Sequence, residues 1–181
     1  VDFYRKELYP EVTSMWYELQ RAAMAAVKHP RLVTEVKRPY TTVKFKRAKG
    51  FLWMRLASGR MLAYYQPRVQ KRRAPWGDMV DTIVHMGNSV TGWRAQALIP
   101  GRIFENLVQA TARDVMMPGA LETIRSGYRL VGRVHDELVS ERPEGTGNLE
   151  EYIKAMCPEL PWLQGIPIEA DGWTGFRYRK G

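Results

Sequence analysis

Residues 41–65 contain the stretch that decides the fold: TTVKFKR at 41–47, FLWMRL at 51–56 and MLAYY at 61–65. In the first run, apolar side chains alternate with lysines, which is the period of a strand with one solvent-facing side. The second and third runs flank a Ser-Gly turn signal, which is typical of a β-hairpin. This part of the chain therefore predicts an antiparallel sheet with basic residues on its solvent-facing side.

Positive charge is concentrated around the same strands. The 181 residues carry a net charge of +9, and residues 28–73 hold 14 Lys or Arg against one acid, Glu35. A segregated block of this kind indicates contact with an anionic partner, nucleic acid first, although a solvated basic face has the same composition. The interleaved aromatic residues predict an apolar underside: Tyr40, Phe45, Phe51, Trp53, Tyr64 and Tyr65.

Apolar spacing predicts helices on both sides of these strands. Residues 10–29 repeat apolar side chains at intervals of three and four, and His29-Pro30 ends the repeat. A second helix begins at Pro100-Gly101 and runs to about Ser126, and we expect Pro118-Gly119 to kink or split it. Asn148 with Glu151 three residues later predicts the N-cap of a short helix that ends near residue 156.

The rest of the chain predicts a second hairpin and several connections. Residues 128–134 and 138–141 are β-type runs joined at His135-Asp136-Glu137. We expect a basic connection over 66–78, a short strand and a loop within 80–98, and a closing strand over 166–179. The fold class is therefore α+β, with an antiparallel sheet, two hairpins and packed helices.

Composition excludes several classes of protein. Hydrophobic residues make up 45% of the chain, so it is globular, and a single cysteine, Cys157, excludes an internal disulfide. The chain has neither an apolar run long enough to span a membrane nor a secretory signal, so we expect a cytoplasmic protein without a membrane partner. The chain begins at Val1 in what reads as helix already under way, so we expect it to be part of a longer or processed polypeptide.

Three consecutive ionisable residues interrupt the second hairpin. Asp136, placed at the turn, has the carboxylate oxygens that Mg²⁺ prefers. Side chains alternate along a strand, so Asp136 and Glu137 cannot both hold one ion from an extended backbone. A polar turn without a ligand is the alternative, and composition does not choose between them.

The second helix has one polar ridge. Arg102, Asn106, Gln109 and Arg113 follow at spacings of four, three and four, so they lie along one side. Amides and guanidinium groups in this arrangement can read base edges or sugars in a groove. An ordinary wet helix face has the same pattern.

Read together, these segments resemble family A DNA polymerases, the DNA polymerase I type, in the bacteriophage and prophage branch. Residues 105–114 (ENLVQATARD) and 131–141 (VGRVHDELVSE) resemble the last two signature segments of that family. The further matches are YPEV at 9–12 with Trp16, FLWMRLASGR at 51–60 and GWTGFRYRK at 172–180. The resemblance thus covers almost the whole chain.

The resemblance implies a palm subdomain that catalyses two-metal nucleotidyl transfer. In this interpretation, residues 1–30 are a junction between palm and fingers, 31–98 a basic β-rich segment, and 99–181 the palm. Asp136 would be one of two aspartates that hold the Mg²⁺ pair, Glu137 would support the metal site, and His135 would lie near the primer terminus.

The resemblance also implies DNA contacts on the polar ridge. Gln109, Asn106 and Arg102 match the family's minor-groove and primer-template contacts. The gap between Asn106 and Gln109 is one residue shorter than in the bacterial repair enzymes, which makes Gln109 the firmest of the matches.

Two family motifs have no match in these residues: the segment with the first metal-binding aspartate and the helix that binds the incoming nucleotide. Asp78 and Asp81 do not match the former. We therefore expect the isolated chain to be inactive. Its expected partners are primer-template DNA, a deoxynucleoside triphosphate and an N-terminal polymerase part, in the same polypeptide or as a split subunit. A non-catalytic DNA-binding module and a metal-dependent nuclease using His135, Asp136 and Glu137 are the alternatives.

Overall fold

The computed structural model describes residues 7–74 and 77–178, and the chain divides into two compact units between Gln109 and Ala110. Two expectations concern positions outside the described residues: the helix under way at residues 1–6, and residue 179 at the end of the closing strand. The elements are α1 (Pro10–Lys28), β1 (Val33–Arg38), β2 (Thr41–Ala48), β3 (Phe51–Arg55), β4 (Met61–Arg73), β5 (Met79–Ser89), β6 (Gly92–Leu98), α2 (Pro100–Arg125), β7 (Arg129–Val134), β8 (Glu137–Glu141), α3 (Leu149–Met156) and a 3₁₀ turn (Pro161–Leu163).

The first unit contains a six-stranded sheet in the order β1-β2-β3-β4-β5-β6, in which every neighbouring pair is antiparallel. The predicted α+β class and antiparallel sheet are confirmed. Phe45 lies opposite Met54, and Met54 lies opposite Leu62, so one apolar row crosses three strands. Because strand side chains alternate, the lysines at positions 44 and 46 point to the other face.

Helix α1 covers the apolar face of the sheet. Leu19, Ala23 and Ala26 of the helix are fully buried, as the three- and four-residue spacing predicts. Their counterparts from the strands include Phe45 and Met54, which are also fully buried. Burial of each large apolar side chain contributes about 1.5–3 kcal/mol, so this layer is the core of the unit.

Three polar contacts fix the first two strands to α1. The Thr34 hydroxyl donates to the Ala22 carbonyl at 2.8 Å, and Arg47 donates to the Val27 carbonyl at 2.9 Å. The second contact satisfies a carbonyl in the last helical turn, which has no partner within the helix. Arg38 pairs with Glu18 at 2.7 Å, and this hydrogen bond lowers the pKa of the Glu18 carboxyl.

The strands after Tyr65 differ from the sequence prediction. Residues 66–78 are not a simple connection, since β4 continues to Arg73. The register shifts between Tyr65 and Arg68, where Gln66 has φ of +48°. A bulge of this kind accommodates Pro67, which cannot donate a hydrogen bond to a neighbouring strand.

The prediction of one short strand and a loop within 80–98 was also wrong. Residues 79–98 form β5 and β6, a long hairpin with a tight turn at Val90-Thr91. Glycine and alanine are depleted in strands, so the composition of GWRAQAL gives a weak strand signal. Pairing with β5 decides the conformation instead.

Helix α2 is one continuous element and is not split at Pro118. The adjacent glycine has a packing role, because a Cβ atom built on Gly119 overlaps the Met156 carbonyl oxygen of α3. None of the helices in the described residues is long and apolar enough to cross a membrane. The prediction of a closing strand over 166–179 was wrong, since residues 166–178 contain no strand.

The second unit contains the β7–β8 hairpin, the end of α2 and helix α3. The predicted hairpin and cap are confirmed: the Asn148 side chain accepts from the Glu150 and Glu151 amides at 2.9 and 3.2 Å. Tyr128 donates to the Asn148 carbonyl at 2.7 Å, and its ring meets Tyr152 of α3 at 4.9 Å between centroids. These contacts attach α3 to the segment that leads into the hairpin.

The close approach at Gly119 gives a test of this packing. We expect Gly119→Ala to lower the free energy of unfolding by about 1–3 kcal/mol, because the added methyl group must displace the α3 backbone. Gly101→Ala is the matched control in the same helix, since its Cβ would meet nothing within 4 Å. Urea denaturation of both variants measures the difference. Equal stability of the two would contradict the assigned contact.

Candidate functional site

The three ionisable residues predicted as catalytic lie together at the tip of the β7–β8 hairpin. Val134 pairs with Glu137, so His135 and Asp136 alone form the turn. All three side chains, His135, Asp136 and Glu137, are exposed. Asp136 is therefore presented to solvent at the end of two paired strands, at the turn where the sequence pattern placed it.

The turn has an unusual backbone. His135 has φ of +50°, a conformation that side chains other than glycine adopt at a cost. Positive φ at the first turn position belongs to the mirror-image turns that match the twist of a hairpin. Lys49 and Gln66 of the first unit have similar φ values, so this conformation alone assigns no role to the His135 side chain.

A bulge in β7 and contacts between β8 and α3 determine the shape of the hairpin below the tip. Its register shifts between Leu130 and Gly132, so Val131 is an extra residue that bends β7. Tyr152 of α3 contacts β8: its hydroxyl oxygen lies 3.0 Å from the Ser140 hydroxyl oxygen, and its hydroxyl donates to the Leu138 carbonyl at 3.3 Å. These contacts fix the strand immediately after Glu137.

The C-terminal tail reaches the site through one residue that the sequence analysis did not single out. The Tyr178 hydroxyl donates to Glu137 Oε2 at 2.8 Å, and this hydrogen bond raises the pKa of Tyr178. The contact leaves the second carboxylate oxygen of Glu137 available to another ligand. The GWTGFRYRK resemblance marked this segment, but no spacing rule connects residues 41 positions apart.

The oxygen donors at the tip match the ligand preference of Mg²⁺, which takes carboxylates together with water and substrate phosphates. Asp136 and Glu137 are the two carboxylates that the hairpin places there. Within residues 7–74 and 77–178, no three His, Cys, Asp or Glu side chains are grouped so that they could hold a metal ion.

The polar ridge of α2 is divided between the two units. Arg102, Asn106 and Gln109 belong to the first unit, and Arg113 belongs to the second together with the hairpin. Arg102, Gln109 and Arg113 are exposed, as the predicted ridge requires. Asn106 differs, since it is half-buried and donates to the Tyr64 hydroxyl at 3.0 Å.

Tyr64 therefore positions Asn106 from the sheet. Its side chain is 5% exposed, and burial raises the pKa of its hydroxyl, which stays protonated at neutral pH. The His85 ring meets it edge-on at 5.1 Å, and burial lowers the pKa of that imidazole. Tyr64, with the His85 ring packed against it, thus supports the Asn106 amide on the ridge. The interleaving of aromatic with basic residues predicted Tyr64 on an apolar underside but gave no indication of its partner Asn106.

No protein-family model and no solved structure matches the chain. It is 32% identical over 171 residues, 94% of its length, to a DNA polymerase of Bacillus phage SP02. The chain spans about a quarter of that curated relative. Over nearly its whole length the chain is thus similar to part of a phage DNA polymerase.

The strained turn gives a direct test. We expect His135→Gly to be more stable than His135→Ala by about 1 kcal/mol, because only glycine adopts positive φ without cost. Both variants lack the imidazole, so their difference isolates the backbone. Thermal unfolding of the full chain measures it. A more stable alanine variant would show that the turn does not have this conformation.

Proposed function

We propose that the chain is the C-terminal palm portion of a template-directed DNA polymerase of the family A type, acting in a bacterial or phage-infected cell. The observation that carries the proposal is the exposed Asp136 at a hairpin tip, in a chain similar over 94% of its length to part of a phage DNA polymerase. The polar ridge of α2 lies before this hairpin in the order that the family motifs require.

In this proposal Asp136 and Glu137 contribute carboxylate oxygens to a Mg²⁺ pair. When bound, the ions would activate the primer 3′ hydroxyl and neutralise the charge of the triphosphate. Asp136 is the primary ligand because it lies at the turn itself. Glu137 is oriented by Tyr178, which restrains one of its oxygens. His135 faces the primer terminus from the same turn.

The ridge of α2 binds primer-template DNA in this proposal. Gln109 and Arg102 are exposed and can donate hydrogen bonds to groove edges and sugars, and Arg113 adds a cation. Asn106 approaches the DNA from a fixed position because Tyr64 holds its amide. Contacts of Arg102 and Arg113 with backbone phosphates would weaken as salt rises, since each neutralised phosphate releases counterions.

A second polymerase part completes the site. The residues contain no match to the motifs for the first metal-binding aspartate and the nucleotide-binding helix, and one well-placed aspartate fixes a Mg²⁺ pair poorly. The chain also spans about a quarter of the phage relative. An N-terminal part, in the same polypeptide or as a split subunit, would supply these groups and the deoxynucleoside triphosphate site. The isolated chain would then not polymerise.

A non-catalytic DNA-binding module is the second candidate. The exposed lysines of β2 favour it, because a basic face needs no metal to bind DNA. In that case the hairpin tip would be inert. The two candidates differ in whether Asp136 matters for nucleotide addition.

Primer extension by a chimera tests the proposal. This chain would replace the matching quarter of the SP02 phage polymerase, and nucleotide addition would be measured in Mg²⁺. We expect Asp136→Asn to lower the rate by about 10²- to 10³-fold or more, since the substitution removes a charge that stabilises the transition state. Glu141→Gln, at the other end of β8, is the control and should leave the rate unchanged. If the chimera is active and Asp136→Asn leaves its extension rate unchanged, the non-catalytic module is favoured.

The tail contact gives a second test in the same chimera. We expect Tyr178→Phe to lower the extension rate roughly 10-fold at limiting Mg²⁺ and to lower it less at saturating Mg²⁺, because Glu137 loses the group that orients it. A titration of rate against Mg²⁺ concentration measures the shift. A decrease that is the same at every Mg²⁺ concentration would mean that Tyr178 does not act through the metal site.

A further inference from the structure

The face of the six-stranded sheet opposite α1 carries a row of aromatic rings. Trp53 and Phe51 are 5.3 Å apart between ring centroids, Phe51 and Tyr65 are 5.0 Å apart, and Tyr65 and Trp93 are 6.3 Å apart. The row therefore runs from β3 across β4 to the edge strand β6. We call these four side chains the aromatic row.

This placement corrects the expectation of an apolar underside. Phe45 and Tyr64 are buried on the helix side, as expected. Phe51, Trp53 and Tyr65 lie on the same face as the lysines, because Lys46 is opposite Trp53 and Phe51 is opposite Tyr65. The aromatic side chains are therefore interleaved with the basic ones on the wet face.

The aromatic row is accessible. Trp93 is 61% exposed and Tyr65 is 37% exposed, and Phe51 and Trp53 are half-buried. Neighbouring rings are tilted by 40–46°, so they are not stacked in parallel on one another. A cluster of partly exposed aromatic rings of this kind is typical of a binding surface.

The charges next to the row are mainly positive. Lys44 lies directly opposite Arg55, a like-charge pair that costs stability in a sheet. Glu35 offsets Lys44 in part at 3.5 Å, and it also pairs with Lys37 at 3.0 Å. Within the described residues, neither Lys46 nor Arg55 has a carboxylate partner. A polyanion would relieve this repulsion.

We propose that this face binds single-stranded nucleic acid. Bases stack on the aromatic row, while Lys46, Arg55 and Lys44 neutralise the backbone phosphates. Exposed rings favour a single strand over a duplex, because duplex bases are already stacked on each other. An apolar protein partner would gain nothing from the unpaired cations. The inference goes beyond the proposed function, and it can hold or fail independently of the hairpin tip.

Fluorescence anisotropy of the full chain with a labelled oligothymidylate of about eight nucleotides tests the inference. We expect Trp93→Ala to weaken binding by roughly 5- to 100-fold, the usual cost of losing one stacked base. Tyr40→Ala is the matched control: its side chain is 56% exposed in the β1–β2 turn outside the row, and the affinity should not change. Circular dichroism confirms that both variants are folded.

Two further arms separate stacking from general attraction to a basic surface. An abasic oligonucleotide of equal length should bind at least 10-fold more weakly than oligothymidylate, since its phosphates are intact and its bases are missing. Lys46→Gln should reduce the slope of log affinity against log salt by about 0.7. Trp93→Ala should leave the slope unchanged, and so should Lys154→Gln, which removes an exposed lysine of α3 outside this face.

Several results would overturn the inference. Equal affinity for the abasic strand, or an unchanged affinity of Trp93→Ala, would remove the role of the rings. A complementary polymerase part that shields the aromatic row from acrylamide quenching, with no shielding by oligothymidylate, would assign this face to a protein interface. Asp136→Asn is expected to bind oligothymidylate normally, so loss of catalysis and loss of this site are distinguishable.

Discussion

The two-residue alternation of β1 to β4 is the constraint on which the first unit depends. One register places Phe45 and Met54 under α1 and places Lys46 and Trp53 on the opposite face of the sheet. A slip of one residue would exchange the two sets, burying lysines and exposing the core. The contacts of Thr34, Arg38 and Arg47 with α1 oppose such a slip, because their partners lie at fixed turns of the helix.

The hairpin of the second unit combines an unfavourable backbone conformation at its turn with stabilising contacts from residues distant in sequence. Two strands bring a histidine into a conformation it does not prefer and leave an aspartate in solvent beside it. Helix α3 fixes β8 through Tyr152, and the tail restrains Glu137 through a single hydrogen bond. Asp136 is positioned by the backbone of the turn, whereas Glu137 is also restrained by Tyr178, and both carboxylates stay exposed to a ligand.

Much of the fold could be predicted from the sequence where a short-range pattern was enough. Helix α1, the strands over 41–65, the second hairpin and the Asn148 cap all follow from spacing within a few residues. The exposure of Asp136 follows from the same kind of pattern. The β5–β6 hairpin could not be predicted, because its small residues form strands only through pairing. Contacts between residues far apart in sequence, Tyr178 with Glu137 and Tyr64 with Asn106, have no periodic signal.

The bulge at Gln66 shifts the alternation of side chains in β4, so the residues before and after it follow different two-residue patterns. Tyr65 and Arg68 share a face although three positions separate them, because their partners Met86 and Val84 are only two apart. Leu62 and Tyr64 are therefore in phase with Val69, not with Gln66 or Arg68. Loss of one residue at this point would invert the second half of the strand while the first stayed in place. Homologous chains are thus expected to vary in residue type along β4 far more readily than in its length.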